Sequence, residues 1–168
     1  FSFENCSNIS ISGITFGHSV PGFCLGGVLR FKNCETVAIQ YCDLYGCGTI
    51  GLSLEQTRSF TMNESIIRDC TYGLLSIQRS SDITFTETIF TTTGEYDLIE
   101  VSASESVKWL RCGFSDNRGV SLFSIDAMSS DIRTESCEFF RNRTKVFSDG
   151  RNPALISPSF TDNWFPDP

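Results

Sequence analysis

The feature that most constrains this chain is an internal repeat of apolar positions. Two apolar residues separated by one residue, with a third five positions later, recur six times at intervals of about 23 to 28 residues. Alternation at a period of two indicates β-strands, and no long stretch of the sequence shows the 3.6-residue period of a helix. The repeated triplets, in which one threonine replaces an apolar residue, are Ile9, Ile11, Phe16; Val37, Ile39, Leu44; Phe60, Met62, Ile67; Ile83, Phe85, Phe90; Val107, Trp109, Phe114; and Ile132, Thr134, Phe139.

A second alternating strand precedes each triplet by six or seven residues. Each unit therefore contains three short strands, and one unit alone cannot bury its apolar side chains. Units stacked about 4.8 Å apart bury these side chains in continuous columns and pair the backbone with neighbouring coils. The sequence thus predicts an all-β, single-stranded right-handed parallel β-helix of about six coils. An antiparallel sandwich predicts Asn-Gly hairpin turns and no columns of one residue type, so the sequence disfavours it.

Small residues form three further columns, and seven of the eight cysteines fall in them. Disulfide bonds between adjacent coils are one interpretation, but side-by-side residues of parallel strands are poorly oriented for such bonds. Buried free thiols are therefore favoured. The adjacent-coil pairs are Cys6 with Cys34, Cys47 with Cys70, and Cys112 with Cys137. The columns are Cys6, Cys34, Thr57, Ser80, Ser104, Ser129; Ile14, Cys42, Ser65, Thr88, Cys112, Cys137; and Ser19, Cys47, Cys70, Thr93, Asn117, Asn142.

The repeat also predicts two segments. Residues 1–148 form the β-helix, and no cap is visible before residue 1, which predicts a piece of a longer chain. After Phe147 the rhythm decays, and residues 149–153 turn the chain away. The following stretch carries Leu155, Phe160 and Trp164 among prolines. Because an uncovered β-helix end is a template for aggregation, residues 149–168 are predicted to be a capping tail over the last coil.

The charge and hydropathy of the chain limit its partners. The 168 residues carry a formal net charge of −7, with a pI near 4.6. Nucleic-acid binding needs a clustered excess of lysine and arginine, so no nucleic-acid partner is predicted. The longest apolar runs are four or five residues, far below a membrane span, so no membrane insertion is predicted.

The repeat of Asn/Ser-x-Ile-x-Ile with a following small residue, as in residues 7–11 and 81–85, resembles the right-handed β-helix repeats of the pectate-lyase-like superfamily. The resemblance covers roughly residues 1 to 148. Residues 17–24 and 42–48 are similar to uncharacterised bacterial β-helix proteins. The superfamily includes polysaccharide lyases, glycoside hydrolases, uronate epimerases, phage tailspikes and bacterial surface proteins, so the resemblance implies the fold and leaves the activity open.

The superfamily's enzymes bind substrate along one parallel sheet, which corresponds here to the sheet containing residues 29–31. Arg30 and Lys32 on that sheet are candidates for a basic catalytic group, but Glu4 and Glu55 flank them in adjacent coils, which favours ion pairs. His18, the one histidine, lies in the longest predicted loop and has the chemistry of a general base, although a structural hydrogen bond is favoured. The outward residues of this sheet are predicted to be Ser2, Arg30, Ser53, Ser76, Glu100 and Ser124.

Catalytic chemistry is otherwise not visible in the sequence. The acidic signatures of polygalacturonases are absent, and no cluster of carboxylates suited to calcium stands out. No metal site or cofactor is predicted, with calcium left open for a lyase. The catalytic residues are therefore unassigned, and the sequence favours a protein that is not an enzyme. If it is one, the class is a polysaccharide lyase or a glycoside hydrolase.

Three tyrosines are the most sugar-like feature, because aromatic faces suit sugar rings. Tyr45, Tyr72 and Tyr96 fall in consecutive loops and are predicted to line one edge, although packing of the loops explains them as well. With Arg30, Glu55 and Glu100 they are the candidates for carbohydrate binding.

Three hypotheses of function follow. The leading one is a carbohydrate-associated β-helix, extracellular or at a bacterial cell surface, that binds a polysaccharide along one sheet. The second is a structural or adhesive spacer without a site. The third is a lyase or epimerase with part of its site in missing sequence.

Overall fold

The computed structural model describes residues 1–18, 27–46 and 50–166, and β-strands are its one regular element in that range. Each turn of the chain visits three sheets in succession, so each strand except the last three pairs in parallel with the strand three places later. The strands are numbered in chain order. The first sheet contains β1 (Ser2–Glu4), β4 (Leu29–Lys32), β7 (Ile50–Glu55), β10 (Gly73–Gln78), β13 (Ile99–Ser102), β16 (Arg118–Ile125) and β19 (Arg143–Gly150).

The other two sheets also have seven strands each. The second contains β2 (Ser7–Ser12), β5 (Glu35–Gln40), β8 (Arg58–Asn63), β11 (Ser81–Thr86), β14 (Glu105–Leu110), β17 (Ser130–Glu135) and β20 (Ala154–Ile156). The third contains β3 (Thr15–His18), β6 (Asp43–Gly46), β9 (Ile66–Arg68), β12 (Ile89–Thr91), β15 (Gly113–Ser115), β18 (Glu138–Phe140) and β21 (Ser159–Thr161). The predicted all-β parallel solenoid with three strands per coil is confirmed.

The register of the sheets places the repeated apolar positions in columns, as predicted. In the second sheet, Ile9 lies beside Val37, and the same column continues through Phe60 and Ile83. Nearly all of these side chains are fully buried, because each strand turns alternate residues inward. Aromatic rings dominate the interior: Phe90, Phe114 and Phe139 lie nearly parallel in the third sheet. The core is therefore a stack of layers, each contributed by one coil.

The corners of the coils depend on a single residue in the left-handed region. Asn33, Gln56 and Arg79 have φ near +50° at the corner between the first and second sheets. This conformation is costly for residues other than glycine. Each keeps its backbone hydrogen bond to the next coil; Asn33 N, for example, donates to Glu55 O over 2.8 Å. The turn thus redirects the chain without interrupting the ladder between coils.

The residue after each left-handed corner points inward, which explains the columns of small side chains. Thr57 N donates to Ser80 Oγ at 3.0 Å, and Ser80 N donates to Ser104 Oγ at 3.1 Å. Ser80 Oγ in turn donates to Gln78 O of its own coil. A hydroxyl therefore gives Thr57 N a partner that the corner does not supply, and it adds a second hydrogen bond to Gln78 O, which already accepts from Gln56 N. Larger apolar side chains could not do this.

The cysteines of the small-residue columns are free thiols in the described part of the chain, as predicted. Cys34, Cys42, Cys70, Cys112 and Cys137 are buried, and Cys6 is half-buried. Their sulfur atoms lie against backbone carbonyls, in the role that serine and threonine hydroxyls have in other coils. Cys24 and Cys47 lie outside the described residues, so the predicted pairing of Cys47 with Cys70 stays a prediction.

Burial predicts the reactivity of these thiols. Desolvation raises the pKa of Cys70 to about 12, and it also raises the pKa of Cys112, so both remain protonated at neutral pH. We expect alkylation of the native protein to modify Cys6 well before the five buried cysteines, and denaturation without a reductant to expose all six. Peptide mass spectrometry measures both states. Labelling of the buried thiols at the rate of Cys6 would contradict this arrangement.

The segment 149–168, which the sequence assigns to a capping tail, contributes to all three sheets. It contains the end of β19 and the whole of β20 and β21. β19 extends to Gly150, and β20 and β21 pair in parallel with β17 and β18. Phe160 stacks on Phe139 with ring centroids 4.7 Å apart and is 46% exposed on its far side. The segment therefore covers the preceding coil by adding a further layer. The division after residue 148 stays a prediction, and it crosses β19.

Candidate functional site

The outer face of the first sheet carries a network of charges around Arg30. Arg30 donates to Glu55 at 2.8 Å and lies 3.8 Å from Glu4, while Lys32 and Arg79 approach Glu55 at 3.8 and 3.0 Å. The hydrogen bond from Arg30, followed by the nearby positive charges, lowers the pKa of Glu55 below its ordinary value. These are the cross-strand ion pairs that the sequence favours. The first sheet thus holds Arg30 and Lys32 in structural contacts.

A polar row continues along the same face beyond this network. Ser76 and Glu100 are register neighbours, and Ser124 follows Glu100. Surrounding protein atoms and the negative charge of Asp97 raise the pKa of Glu100, although much of its side chain is exposed. Glu100 is therefore a carboxylate that donors from a ligand would stabilise. The row that the strand register defines is Ser2, Arg30, Ser53, Ser76, Glu100, Ser124 and Asp149.

Two of the three predicted tyrosines meet at the corner that leads into this sheet. The rings of Tyr72 and Tyr96 lie 5.3 Å apart at an angle of 41°. Tyr96 is 51% exposed, and Tyr72 is half-buried. Each stands four residues before a member of the polar row, Ser76 or Glu100, so the pair borders that row. Desolvation, followed by the charges of Tyr96 and Glu95, raises the pKa of Tyr72.

Tyr45 has a different environment. It lies within β6 of the third sheet, where its register partner is Arg68. The guanidinium of Arg68 sits 4.7 Å from the ring centroid and also forms hydrogen bonds of 3.0 and 2.9 Å to Asp43. On the other side, the ring lies so close to Gly17 that a Cβ there would overlap it. Tyr45 is thus packed into the third sheet, and no ring contact joins it to Tyr72 among the described residues.

His18 ends β3 and lies beside Gly46 of the third sheet, half-buried. Arg30 and Lys32 belong to the first sheet, so the three candidates for catalysis lie on two sheets. Most of the predicted loop at residues 17–27 is outside the described residues. Within the described ranges, no group of three or more His, Cys, Asp and Glu residues could hold a metal ion. The same ranges contain no helix long and apolar enough to span a membrane.

Sequence reasoning missed a basic depression between the third and first sheets. It has a volume of about 720 Å³ and is lined by Arg118, Arg141, Arg143, Asp116 and residues 92–94. Arg141 clasps Asp116 with two hydrogen bonds of 2.6 and 2.7 Å. A signal was present in the sequence: the pair Asn-Arg occurs at residues 117–118 and again at residues 142–143.

Comparison with known proteins gives a match to one family model. The model of the right-handed β-helix region matches residues 1–166. A search of curated proteins finds no match. Among solved structures, the chain is similar at 10% identity to QnrB1, a plasmid-mediated fluoroquinolone resistance protein, with 95% of this chain and 92% of that chain covered and a TM-score of 0.21.

A second solved structure is HetL, a pentapeptide repeat protein involved in heterocyst differentiation regulation from the cyanobacterium Nostoc sp. strain PCC 7120. The identity is 6%, the coverage is 94% of this chain and 87% of that chain, and the TM-score is 0.16. Both TM-scores are too low to support an argument about fold or function.

Proposed function

This chain belongs to the family of right-handed β-helix proteins, and from that premise we propose that it is a carbohydrate-associated β-helix that binds a polysaccharide along the outer face of its first sheet. The observation that carries the proposal is the pair of contacting rings, Tyr72 and Tyr96, beside the polar row. Exposed aromatic faces offer apolar contact to sugar rings, and their hydroxyl groups offer hydrogen bonds. The pair therefore supplies both kinds of contact that a sugar needs.

The spacing of the coils supports the same proposal. Successive coils of a parallel stack lie about 4.8 Å apart, which is close to the length of one sugar unit. A polysaccharide aligned with the solenoid axis would thus meet an equivalent position at every residue of its own chain. Ser76, Glu100 and Ser124 are such equivalent positions on successive strands. Of these, the exposed Glu100 carboxylate and the half-buried Ser124 hydroxyl can accept hydrogen bonds from sugar hydroxyls, whereas Ser76 is buried and accepts from Gln78 Nε2.

The proposal extends to finer points that the sequence predicts. They are membership of the pectate-lyase-like superfamily, a bacterial source, and a location outside the cell or at its surface. In the proposed binding site, Glu100 lies at the centre, and the Arg30–Glu55 ion pair lies at the end of the row away from Ser124. Tyr45 lies in the third sheet, apart from the tyrosine pair, and its role in carbohydrate binding stays a prediction from the sequence. The alternatives, a spacer without a site and a lyase or epimerase, are outcomes of the experiments below.

Replacing Tyr96 with alanine tests the tyrosine pair. We expect the dissociation constant for a bound polysaccharide to rise by at least about fivefold, because the exposed stacking surface is lost. Tyr72→Ala should weaken binding in the same way. A glycan array with neutral and uronate-containing oligosaccharides identifies the ligand, and isothermal titration calorimetry measures the change.

Tyr41→Ala is the matched control. Tyr41 is 53% exposed, but it lies at the corner between the second and third sheets. Its replacement should leave affinity unchanged. An array without any binder would support the spacer. Accumulation of an unsaturated product that absorbs in the ultraviolet, on a polyuronate with calcium, would instead support the lyase. Equal losses in all three variants would show that the tyrosine pair has no specific role.

A further inference from the structure

The basic depression is unusual for a chain with a net charge of −7. Arg118 begins β16 and Arg143 begins β19, and the strand register places the two side by side. Like charges directly opposite each other destabilise a sheet. Such an arrangement costs stability unless a negative group lies between the two charges, and this is a reason to seek a ligand here.

The acidic residues nearby do not neutralise these two arginines. Arg141 forms a bidentate hydrogen bond with Asp116, and this contact lowers the pKa of Asp116. The charge of Asp162 also acts on Arg141. Arg143 donates to the backbone oxygens of Asn142 and Asp162, which carry no net charge. Within residues 1–18, 27–46 and 50–166, neither Arg118 nor Arg143 forms an ion pair.

The shape of the depression leaves room for a ligand above the corner. Gly94 lies against the backbone of Arg118 so closely that a Cβ would meet Arg118 O at 2.6 Å. A side chain at this position would therefore fill the corner. Arg118 and Arg143 are both exposed, so their guanidinium groups are reachable from solvent. The planar guanidinium fork presents donors in the geometry that phosphate and carboxylate oxygens accept.

We propose that this depression binds a phosphoryl group, with Arg118 and Arg143 as its ligands and the Arg141–Asp116 pair as one wall. Two guanidinium groups without ion pairs match a group that carries close to two negative charges, as a phosphate monoester does. A single carboxylate would leave one of them uncompensated. The site lies at the same corner as Tyr72 and Tyr96, further along the axis. Phosphoryl binding at this site does not depend on polysaccharide binding, and the two proposals are tested separately.

The test uses the whole chain and four probes: inorganic phosphate, glucose 6-phosphate, glucuronate and glucose. We expect the two phosphates to bind in low-salt buffer at a pH where they are dianions, glucuronate to bind more weakly, and glucose not to bind. The double variant Arg118→Gln/Arg143→Gln should weaken phosphate binding by at least about fivefold, because charge-assisted hydrogen bonds are lost. Calorimetry measures affinity, and NMR shifts at residues 92–94 and 116–118 locate the site.

The control variant Arg58→Gln/Lys108→Gln changes the net charge equally on the second sheet and should bind phosphate as the original chain does. Circular dichroism shows whether both double variants are folded. Tighter binding of glucose 6-phosphate than of inorganic phosphate would identify a phosphorylated sugar as the source of the group, and the reverse would identify free phosphate. Glucuronate binding as tight as phosphate binding, or equal affinities of the two double variants, would overturn the proposal.

Discussion

Replacing Phe114 with alanine is expected to lower the free energy of unfolding by about 3–5 kcal/mol, near the upper limit for a single buried side chain. The ring is fully buried and belongs to the stack that runs along the third sheet. Its centroid lies 5.1 Å from that of Phe90 and 4.9 Å from that of Phe139, both nearly parallel. Phe123 of the first sheet meets it edge-on at 5.5 Å.

The size of this effect follows from the layered core. Alanine would remove contacts to the layer above, the layer below and the opposite sheet at once, and the strand ladders on both sides would restrain collapse of the cavity. Urea denaturation followed by circular dichroism gives the free energy of unfolding.

The end of the same stack supplies the control. Phe160 stacks on Phe139 and is 46% exposed, so Phe160→Ala should cost less than half as much as Phe114→Ala. Phe114→Leu, which retains most of the volume, should also cost less than the alanine variant. Equal destabilisation by Phe160→Ala and Phe114→Ala would contradict the view that loss of contacts on both sides determines the effect.

The inward columns could be predicted from sequence because burial imposes the same residue type at the same place in every coil. Val37 and Phe60, or Ile83 and Val107, are register partners that the repeat alone aligns. The corner conformation could not be predicted in this way. Tyr41, Gln56 and Arg79 have a positive φ, although none has the short polar side chain with which Asn and Asp favour this conformation. At these positions the hydrogen bonds of the neighbouring coils set the backbone, and the side chain points outward.

The candidate site was predictable in part for the same reason. The contact between Arg30 and Glu55 follows from two outward residues on paired strands. The separation of Tyr45 from the tyrosine pair could not be predicted from the sequence, because the three tyrosines are spaced at similar intervals. Tyr45 lies inside a strand, whereas Tyr72 and Tyr96 lie after the end of one. Side-chain direction at a corner depends on where the strand ends.

The basic depression shows a different limit. Arg118 and Arg143 are outward residues, and outward positions of a solenoid vary freely because packing does not select them. Their repetition after an asparagine can be seen in the sequence. What the sequence does not show is that Arg141 already occupies Asp116, which leaves Arg118 and Arg143 without an ion pair among the described residues.

Replacing Asn142 with leucine is expected to lower the free energy of unfolding by about 2–5 kcal/mol, although the two side chains have the same branched shape and the same number of heavy atoms. The asparagine is fully buried and belongs to a ladder at the corner between the third and first sheets. Its Nδ2 donates to Phe114 O at 2.8 Å and to Asn163 Oδ1 at 2.9 Å. Its Oδ1 accepts from Asn117 N at 3.3 Å and from Asn117 Nδ2 at 3.0 Å.

Leucine would leave two backbone groups, Phe114 O and Asn117 N, buried without these partners. An unsatisfied buried donor or acceptor costs about 1–3 kcal/mol, more than the net gain from forming its hydrogen bond. The cost should therefore exceed the small benefit of added apolar surface.

Thr93→Val gives a graded comparison within the same ladder. Thr93 Oγ1 accepts from Cys70 N at 3.3 Å and donates to Thr91 O at 3.4 Å, so valine removes two longer hydrogen bonds while keeping the branched shape of the side chain. We expect Thr93→Val to cost about 1–2 kcal/mol, clearly less than Asn142→Leu. Urea denaturation of both variants gives the two values. If Asn142→Leu were as stable as the original chain, apolar packing and not the asparagine ladder would hold this corner together, since the ladder's hydrogen bonds would then contribute nothing to stability.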